Sequence, residues 1–180
     1  MDNIISNFTT TTGRINRQPF WIGVIILAVV NIVISLLILP LVGLGMPNMA
    51  TLATATDPAA MTATIEGAIK ASAWASLVIF IIFAYPYYAL AVKRRHDKDN
   101  AGLDVLIYLV LSGLLLLLQA LGFAYSPTDV GGMMVPMPTM LFSVFGIVLL
   151  IYGIYLLVVL GFLKGTSGPN QYGPDPLGGA

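Results

Sequence analysis

Four long apolar stretches dominate the pattern of hydrophobic and polar positions along this chain. They cover residues 20–44, 71–92, 105–125 and 140–163, and none has an ionisable side chain at its centre. A helix needs about 20 mainly apolar residues to cross a hydrocarbon core of roughly 30 Å. The pattern therefore predicts an all-α membrane protein in which a bundle of four transmembrane helices forms one domain over residues 20–163.

Lysine and arginine residues flank these stretches unevenly. Lys70 lies on one side, and the other side has the remaining seven: Arg14, Arg17, Lys93, Arg94, Arg95, Lys98 and Lys164. Basic residues near helix ends are retained on the cytoplasmic side of a membrane. The asymmetry predicts that both termini are cytoplasmic, with residues 1–19 as an N-terminal arm and residues 164–180 as a glycine- and proline-rich tail.

Two longer connections fall on the opposite side in this topology. The first contains Asp57 as a helix N-cap and Pro58 in the first turn, and apolar residues then recur every fourth position. This spacing predicts a helical extracytoplasmic arm that runs into the second span. The second connection, residues 126–139, contains two adjacent glycines and several prolines, so we expect it to be irregular.

The composition supports lipid as the main solvent of the chain. Apolar residues make up 58% and charged residues 9% of the 180 positions, whereas soluble proteins have about 25% charged residues. The net charge is zero, so no nucleic-acid partner is expected. No cysteine is present, which excludes disulfides and thiolate metal sites, and no cofactor is expected.

The connection between the second and third stretches is the most polar part of the chain. Its cations are candidates to meet anionic lipid headgroups, each contributing about 1 kcal/mol near the membrane surface: Lys93, Arg94, Arg95 and Lys98. His96 beside Asp97 could instead act as a general base. No nucleophile or set of metal ligands accompanies this pair, so we assign no catalytic residue.

The methionines suggest a second alternative. All except Met1 lie on or near the predicted outer side, at Met46, Met49, Met61, Met133, Met134, Met137 and Met140. Thioethers favour Cu(I), so an external copper contact is one interpretation. Flexible apolar side chains that coat loops at the membrane interface explain the same pattern, and no histidine or cysteine joins the cluster. We therefore assign no metal site.

Three segments of the chain carry recognisable motifs. Residues 13–21 read G-R-I-N-R-Q-P-F-W, the middle connection reads R-R-H-D-K-D-N-A-G from Arg94, and residues 165–176 read G-T-S-G-P-N-Q-Y-G-P-D-P. In this order they resemble the bacterial inner-membrane family called domain of unknown function 805 (DUF 805). The resemblance implies a small multi-pass protein of the bacterial inner membrane and implies no activity. Arg95, Asp99 and Leu103 stand where the family usually has Leu, Gly and Trp.

All three motifs fall on the predicted cytoplasmic side. We expect them to fold together into a cytoplasmic cap, in which Arg14 or Arg94 pairs with Asp97 or Asp175. The predicted motif surface comprises Gly13, Arg14, Arg17, Phe20, Trp21, Arg94, His96, Asp97, Gly102, Gly168, Asn170, Tyr172, Gly173, Pro174, Asp175 and Pro176.

Three functions compete at this point. The leading interpretation is a non-enzymatic membrane module whose cytoplasmic motif surface binds a partner protein or an anionic lipid headgroup. The second is a small oligomeric transporter or channel. The absence of an ionisable residue at the centre of any span counts against it and leaves a neutral solute as the substrate, with Asn31 and Gln119 as lining candidates. The third is a membrane enzyme that uses His96 and Asp97.

Overall fold

Helices form most of the structure, a computed structural model that describes residues 4–38, 57–131 and 133–178. Four of the helices are long and apolar enough to cross a membrane, as the hydrophobic pattern predicts. The elements in chain order are α1 (Ser6–Thr9), α2 (Arg17–Val33), a π-helical turn (Ile34–Ile38), α3 (Pro58–His96), α4 (Leu103–Ala120), β1 (Tyr125–Val130), β2 (Met133–Pro138), α5 (Met140–Leu157) and a second π-helical turn (Val158–Phe162).

Helix α2 begins where the sequence offers a cap. The Asn16 side-chain oxygen accepts a hydrogen bond from the Gln18 N–H over 3.0 Å, which satisfies one of the N–H groups that a helix start leaves unpaired. Pro19 is tolerated in this first turn because its missing N–H would have no partner there. Residues 39–44, which belong to the predicted first span, lie outside the described residues.

Helix α3 is continuous over 39 residues. Asp57 caps it, because its carboxylate accepts a hydrogen bond from the Ala59 N–H over 3.0 Å. The helix therefore includes both the segment predicted as a helical arm and the predicted second span; that the arm is extracytoplasmic stays a prediction. At the other end, four basic residues occupy the last turn, where positive charge is favoured by the helix dipole.

The connection predicted to be irregular is a β-hairpin, so that prediction was wrong. Strands β1 and β2 pair in antiparallel fashion from Tyr125 with Pro138 to Val130 with Met133. A two-residue glycine turn between short strands is a hairpin signal, and Gly131 has the required positive φ of 65°. The prolines are tolerated because a two-stranded ribbon has only edge strands, whose outward side needs no N–H donor.

The chain divides into two compact units. The first contains residues 1–30, 81–111 and 149–180, and the second contains residues 31–80 and 112–148.

Glycines allow close helix contacts within each unit. In the first unit, a Cβ on Gly23 would meet the Leu90 Cδ1 atom at 2.6 Å. In the second, a Cβ on Gly113 would meet the Phe80 ring at 2.9 Å. Small residues serve this purpose in membrane helices, where close packing replaces the hydrophobic driving force. Large apolar side chains are exposed on all four spans, as lipid contact requires.

Candidate functional site

Polar side chains of the first unit gather where three chain segments meet. We call this region the polar cap; it comprises residues 4–17, 93–104 and 163–178. The Ile15 N–H donates to the Lys93 carbonyl over 3.4 Å, and the Thr166 N–H donates to the Asp97 carbonyl over 2.8 Å. The predicted association of the three motif segments is therefore confirmed, while its cytoplasmic side stays a prediction.

Asp97 is the central carboxylate of the polar cap. It is 4% exposed, and its Oδ1 accepts from the Arg14 Nη2 over 3.1 Å. Its Oδ2 forms a second ion pair with the Arg94 Nη1. Both arginines named as alternatives in the sequence thus share one carboxylate. A buried carboxylate that pairs with two guanidinium groups fixes the positions of both.

Asp175, the other predicted partner, pairs with neither arginine. Its carboxylate accepts backbone hydrogen bonds from the Leu177 N–H over 2.9 Å and from the Gly168 N–H over 2.8 Å. These two bonds hold the pKa of Asp175 below its usual range, because they favour the charged form. Asp175 therefore fixes the turn of the tail to which it belongs.

Arg14 joins the N-terminal arm to the tail. Its Nη1 donates to the Gly168 carbonyl over 2.9 Å and to the Gly173 carbonyl over 3.2 Å. Its Nη2 donates to the Thr166 carbonyl over 2.9 Å. The planar guanidinium offers five N–H donors in a fixed arrangement, which suits a group that must hold several acceptors at once.

Arg94 joins α3 to the end of the fourth span. Its side chain is fully buried, its Nε donates to the Leu160 carbonyl over 2.8 Å, and its Nη2 donates to the Leu163 carbonyl. The last carbonyls of a helix have no intrahelical partner. Arg94 supplies these carbonyls with donors while it neutralises Asp97.

His96 contacts the tail through its ring and the N-terminal arm through a hydrogen bond. Its imidazole stacks on the Tyr172 ring, with centroids 3.8 Å apart and planes 5° from parallel. Its Nδ1 lies 3.1 Å from the Gly13 carbonyl, which can only accept, so the proton must sit on Nδ1. The tail forms a second contact with this residue, in which the Asn170 amide donates to the His96 carbonyl over 2.8 Å. The arm, not Asp97, therefore orients this imidazole.

The four predicted headgroup cations differ in exposure. Lys93 and Arg95 are buried like Arg94; the Lys93 ammonium donates to a backbone carbonyl in α1, and the Arg95 Nη2 lies 2.9 Å from an Asp104 carboxylate oxygen. Lys98 is half-buried. Burial lowers the pKa of Lys98, and the neighbouring charges of Arg94 and Arg95 lower it further. Lys98 thus lies in a region with excess positive charge.

The start of α2 contacts the end of the fourth span. The Trp21 indole N–H donates to the Gly161 carbonyl over 3.1 Å, and the Arg17 Nη1 donates to the Phe162 carbonyl over 3.3 Å. Phe20 is buried beside the Trp21 ring, with the two centroids 5.9 Å apart. The aromatic part of the first motif therefore serves packing.

The other motif residues shape the backbone or line cavities. The four glycines of the predicted motif surface, Gly13, Gly102, Gly168 and Gly173, have φ angles of 87°, 76°, 76° and 136°, a region that favours glycine. Pro174 and Pro176 line a cavity of about 620 Å³ between the N-terminal arm and the tail.

A second cavity in the polar cap contains the exposed cations. Its volume is about 350 Å³, and its lining includes Arg17, Lys164, Thr166 and Ser167. Arg17 and Lys164 are both exposed, and within residues 4–38, 57–131 and 133–178 neither forms an ion pair. In the sequence, Lys164 indicates topology alone. The feature of the sequence that indicates this site is a cation directly after the last apolar residue of a span.

The residues that the structure describes offer no group of three or more His, Cys, Asp or Glu side chains that could hold a metal ion. Of the methionines, Met46 and Met49 lie outside the described residues. Met134, Met137 and Met140 are exposed. The copper alternative stays a prediction.

Comparison with known proteins identifies a family and two relatives. A family model described as "Protein of unknown function (DUF805)" matches residues 8–174. The "Inner membrane protein YhaI" of Escherichia coli strain K12 is 21% identical over 178 residues, which cover 99% of this chain and 95% of that protein. The protein of the same name from Escherichia coli O157:H7 matches to the same extent. No solved structure matches the chain.

Proposed function

The chain belongs to the DUF805 family of proteins of unknown function, and from that premise we propose that it is a non-enzymatic protein of the bacterial inner membrane whose polar cap binds the headgroup of an anionic phospholipid. One observation carries the proposal: Arg17 and Lys164 line the same cavity of about 350 Å³ without a carboxylate partner among the described residues. The names of the relatives support the inner-membrane location, and the distribution of basic residues supports cytoplasmic termini.

The charges around this cavity favour an anion. Two carboxylates also line it, those of Asp97 and Asp175, but the first is neutralised by two arginines and the second accepts backbone hydrogen bonds. The positive charges of Arg17 and Lys164 have no compensating carboxylate among the residues that the structure describes. The Ser167 hydroxyl of the lining supplies an uncharged donor of the kind that phosphate oxygens accept.

The position of the cavity favours a lipid over a free anion. Phe162 and Leu163 are 59% and 48% exposed and directly precede Lys164 in the chain. A phospholipid could therefore place an acyl chain along these two apolar side chains while its phosphate meets Arg17 and Lys164. Each cation near an anionic headgroup contributes about 1 kcal/mol.

The burial pattern narrows the set of headgroup ligands that the sequence suggested. Lys93, Arg94 and Arg95 are buried and bonded to internal acceptors. Moving them into contact with lipid would break these bonds and expose the polar cap. We therefore assign the headgroup to Arg17 and Lys164, with Lys98 nearby, since its ammonium donates to the Lys164 carbonyl over 3.1 Å.

Native mass spectrometry on the full chain tests this proposal. The protein is reconstituted with phosphatidylglycerol and phosphatidylcholine, and the retained lipid is compared with that of the double variant Arg17→Gln, Lys164→Gln. Loss of two contacts of about 1 kcal/mol each predicts roughly thirtyfold weaker phosphatidylglycerol binding. The charge-preserving variant Arg17→Lys, Lys164→Arg is the matched control and should retain the lipid.

Two results would overturn the proposal. Equal retention of phosphatidylglycerol by the double variant and the unaltered protein would show that these cations do not hold the headgroup. A copurified protein that is released by the same double variant, with no lipid retained in either form, would assign the surface to a protein partner instead.

A further inference from the structure

The second unit contains its own cavity, distinct from the polar cap. Its volume is about 260 Å³. Helix α3 contributes Glu66 and Lys70, the end of α4 contributes Gln119, and the first residue of β1 contributes Tyr125. Helices α3 and α4 thus place an acid, a base and an amide around one space.

Within the described part of the chain, the two charged side chains and the amide of this cavity have no bonding partner. Glu66 and Lys70 lie one turn apart on α3, where opposite charges commonly pair, yet the described residues contain no ion pair between them or with any other group. The Gln119 amide likewise makes no side-chain hydrogen bond with the part of the chain that the structure describes. Glu66 and Gln119 are half-buried and Lys70 is exposed, so all three side chains are accessible to a ligand.

The backbone around the cavity is shaped to admit the lysine. Gly122 has a φ of 88°, and a Cβ at this position would lie 2.9 Å from the Lys70 Cε atom. The glycine therefore leaves the space through which the lysine side chain passes. On another side, Pro127 and Pro136 face each other across the hairpin and form an apolar wall.

We propose that this cavity binds a small zwitterionic group that carries a primary ammonium and an anionic phosphate or carboxylate a few bonds apart. The Glu66 carboxylate accepts hydrogen bonds from the ammonium, and the Lys70 ammonium donates to the anionic oxygens. The Gln119 amide can donate to the anion or accept from the ammonium. The volume of about 260 Å³ suits a group of this size and is below that of sites for drug-sized ligands.

Two sources offer this chemistry: the headgroup of phosphatidylethanolamine and a free molecule such as phosphoethanolamine. The first experiment uses the full chain in nanodiscs of phosphatidylcholine doped with phosphatidylethanolamine and compares the two lipids retained in native mass spectra. Phosphatidylcholine is the matched lipid, since its quaternary ammonium has no N–H to donate. The second experiment titrates phosphoethanolamine into protein in phosphatidylcholine nanodiscs by calorimetry.

The variants Glu66→Gln and Lys70→Gln should each weaken binding by about tenfold or more, because each removes a charge-assisted hydrogen bond. Gly122→Ala should weaken it through displacement of the lysine, and Asp99→Asn should leave it unchanged, because Asp99 is exposed and lines neither cavity. If the protein retains phosphatidylethanolamine in preference to phosphatidylcholine, and Glu66→Gln and Lys70→Gln abolish this preference, the ligand is the lipid. If phosphoethanolamine binds in the calorimeter and the same two variants weaken that binding, the ligand is the soluble molecule. Absence of both, or binding that is indifferent to Glu66→Gln, would overturn the proposal.

Discussion

Replacing Asp97 by Asn tests whether the polar cap depends on a buried negative charge. The substitution keeps the size and one acceptor oxygen but removes the charge. The side chains of Arg14 and Arg94 are 1% and 0% exposed, so both guanidinium groups would stay buried without their counter-charge. Removing one partner of a buried ion pair costs about 3–5 kcal/mol of folding free energy.

The matched control is Asp99→Asn. Asp99 is exposed and has a φ of 57°, a conformation that asparagine adopts readily. Its replacement removes the same charge two residues away and should change the free energy of unfolding by less than about 0.5 kcal/mol. Any general effect of net charge would appear equally in both variants.

The assay is unfolding of the purified protein in mixed micelles by an SDS titration, followed by tryptophan fluorescence. Trp21 reports on the first unit, because its indole donates to the Gly161 carbonyl. We expect Asp97→Asn to unfold at a clearly lower SDS fraction than Asp99→Asn. Equal midpoints would refute the reasoning, since they would mean that carbonyl acceptors alone satisfy both buried arginines.

Two further predictions concern the tail. Gly165→Ala should lower the free energy of unfolding by about 1–3 kcal/mol in the same SDS titration, because the new Cβ would lie 2.7 Å from the Asp97 carbonyl; an unchanged midpoint would contradict this close contact. The pKa of Asp175 is depressed below 3.8 in the folded state, so its contribution to stability is present above that value and is lost as the pH falls through the folded pKa. Above the folded pKa, pepsin should therefore cleave the tail of the unaltered protein more slowly than that of Asp175→Asn, and the two cleavage rates should converge as the pH falls through it.

The spans were predictable because lipid imposes a simple requirement on the sequence. Long apolar runs have few alternative structures when every backbone group must be satisfied inside the membrane. The hairpin between α4 and α5 was missed for a specific reason. Its two adjacent glycines are typical of irregular chain, but a glycine pair between two short segments also favours a tight turn, so the glycines alone do not distinguish the two structures.

The arrangement of the polar cap was only partly predictable. The motifs brought Arg14, Arg94 and Asp97 together, but they could not show that both arginines use the same carboxylate. The main acceptors for these arginines are backbone carbonyls, for example those of Leu160 and Gly168. Every residue has a backbone carbonyl, so the sequence cannot show which carbonyls accept these hydrogen bonds. Burial of the basic residues of the middle connection depends on these acceptors and could not be read from charge alone.

The motifs and the proposed headgroup site occupy overlapping but different residues, and this difference has a consequence for the family. Arg14 and Arg94 carry the motif resemblance, and their donors are used inside the polar cap. Lys164 lies just before the tail motif, and its side chain makes no hydrogen bond or ion pair with the residues that the structure describes. A relative with the same motifs but a neutral residue in place of Lys164 should therefore keep the cap and bind anionic lipid more weakly. The motifs predict the cap, while the exposed cation beside them determines what the cap can bind.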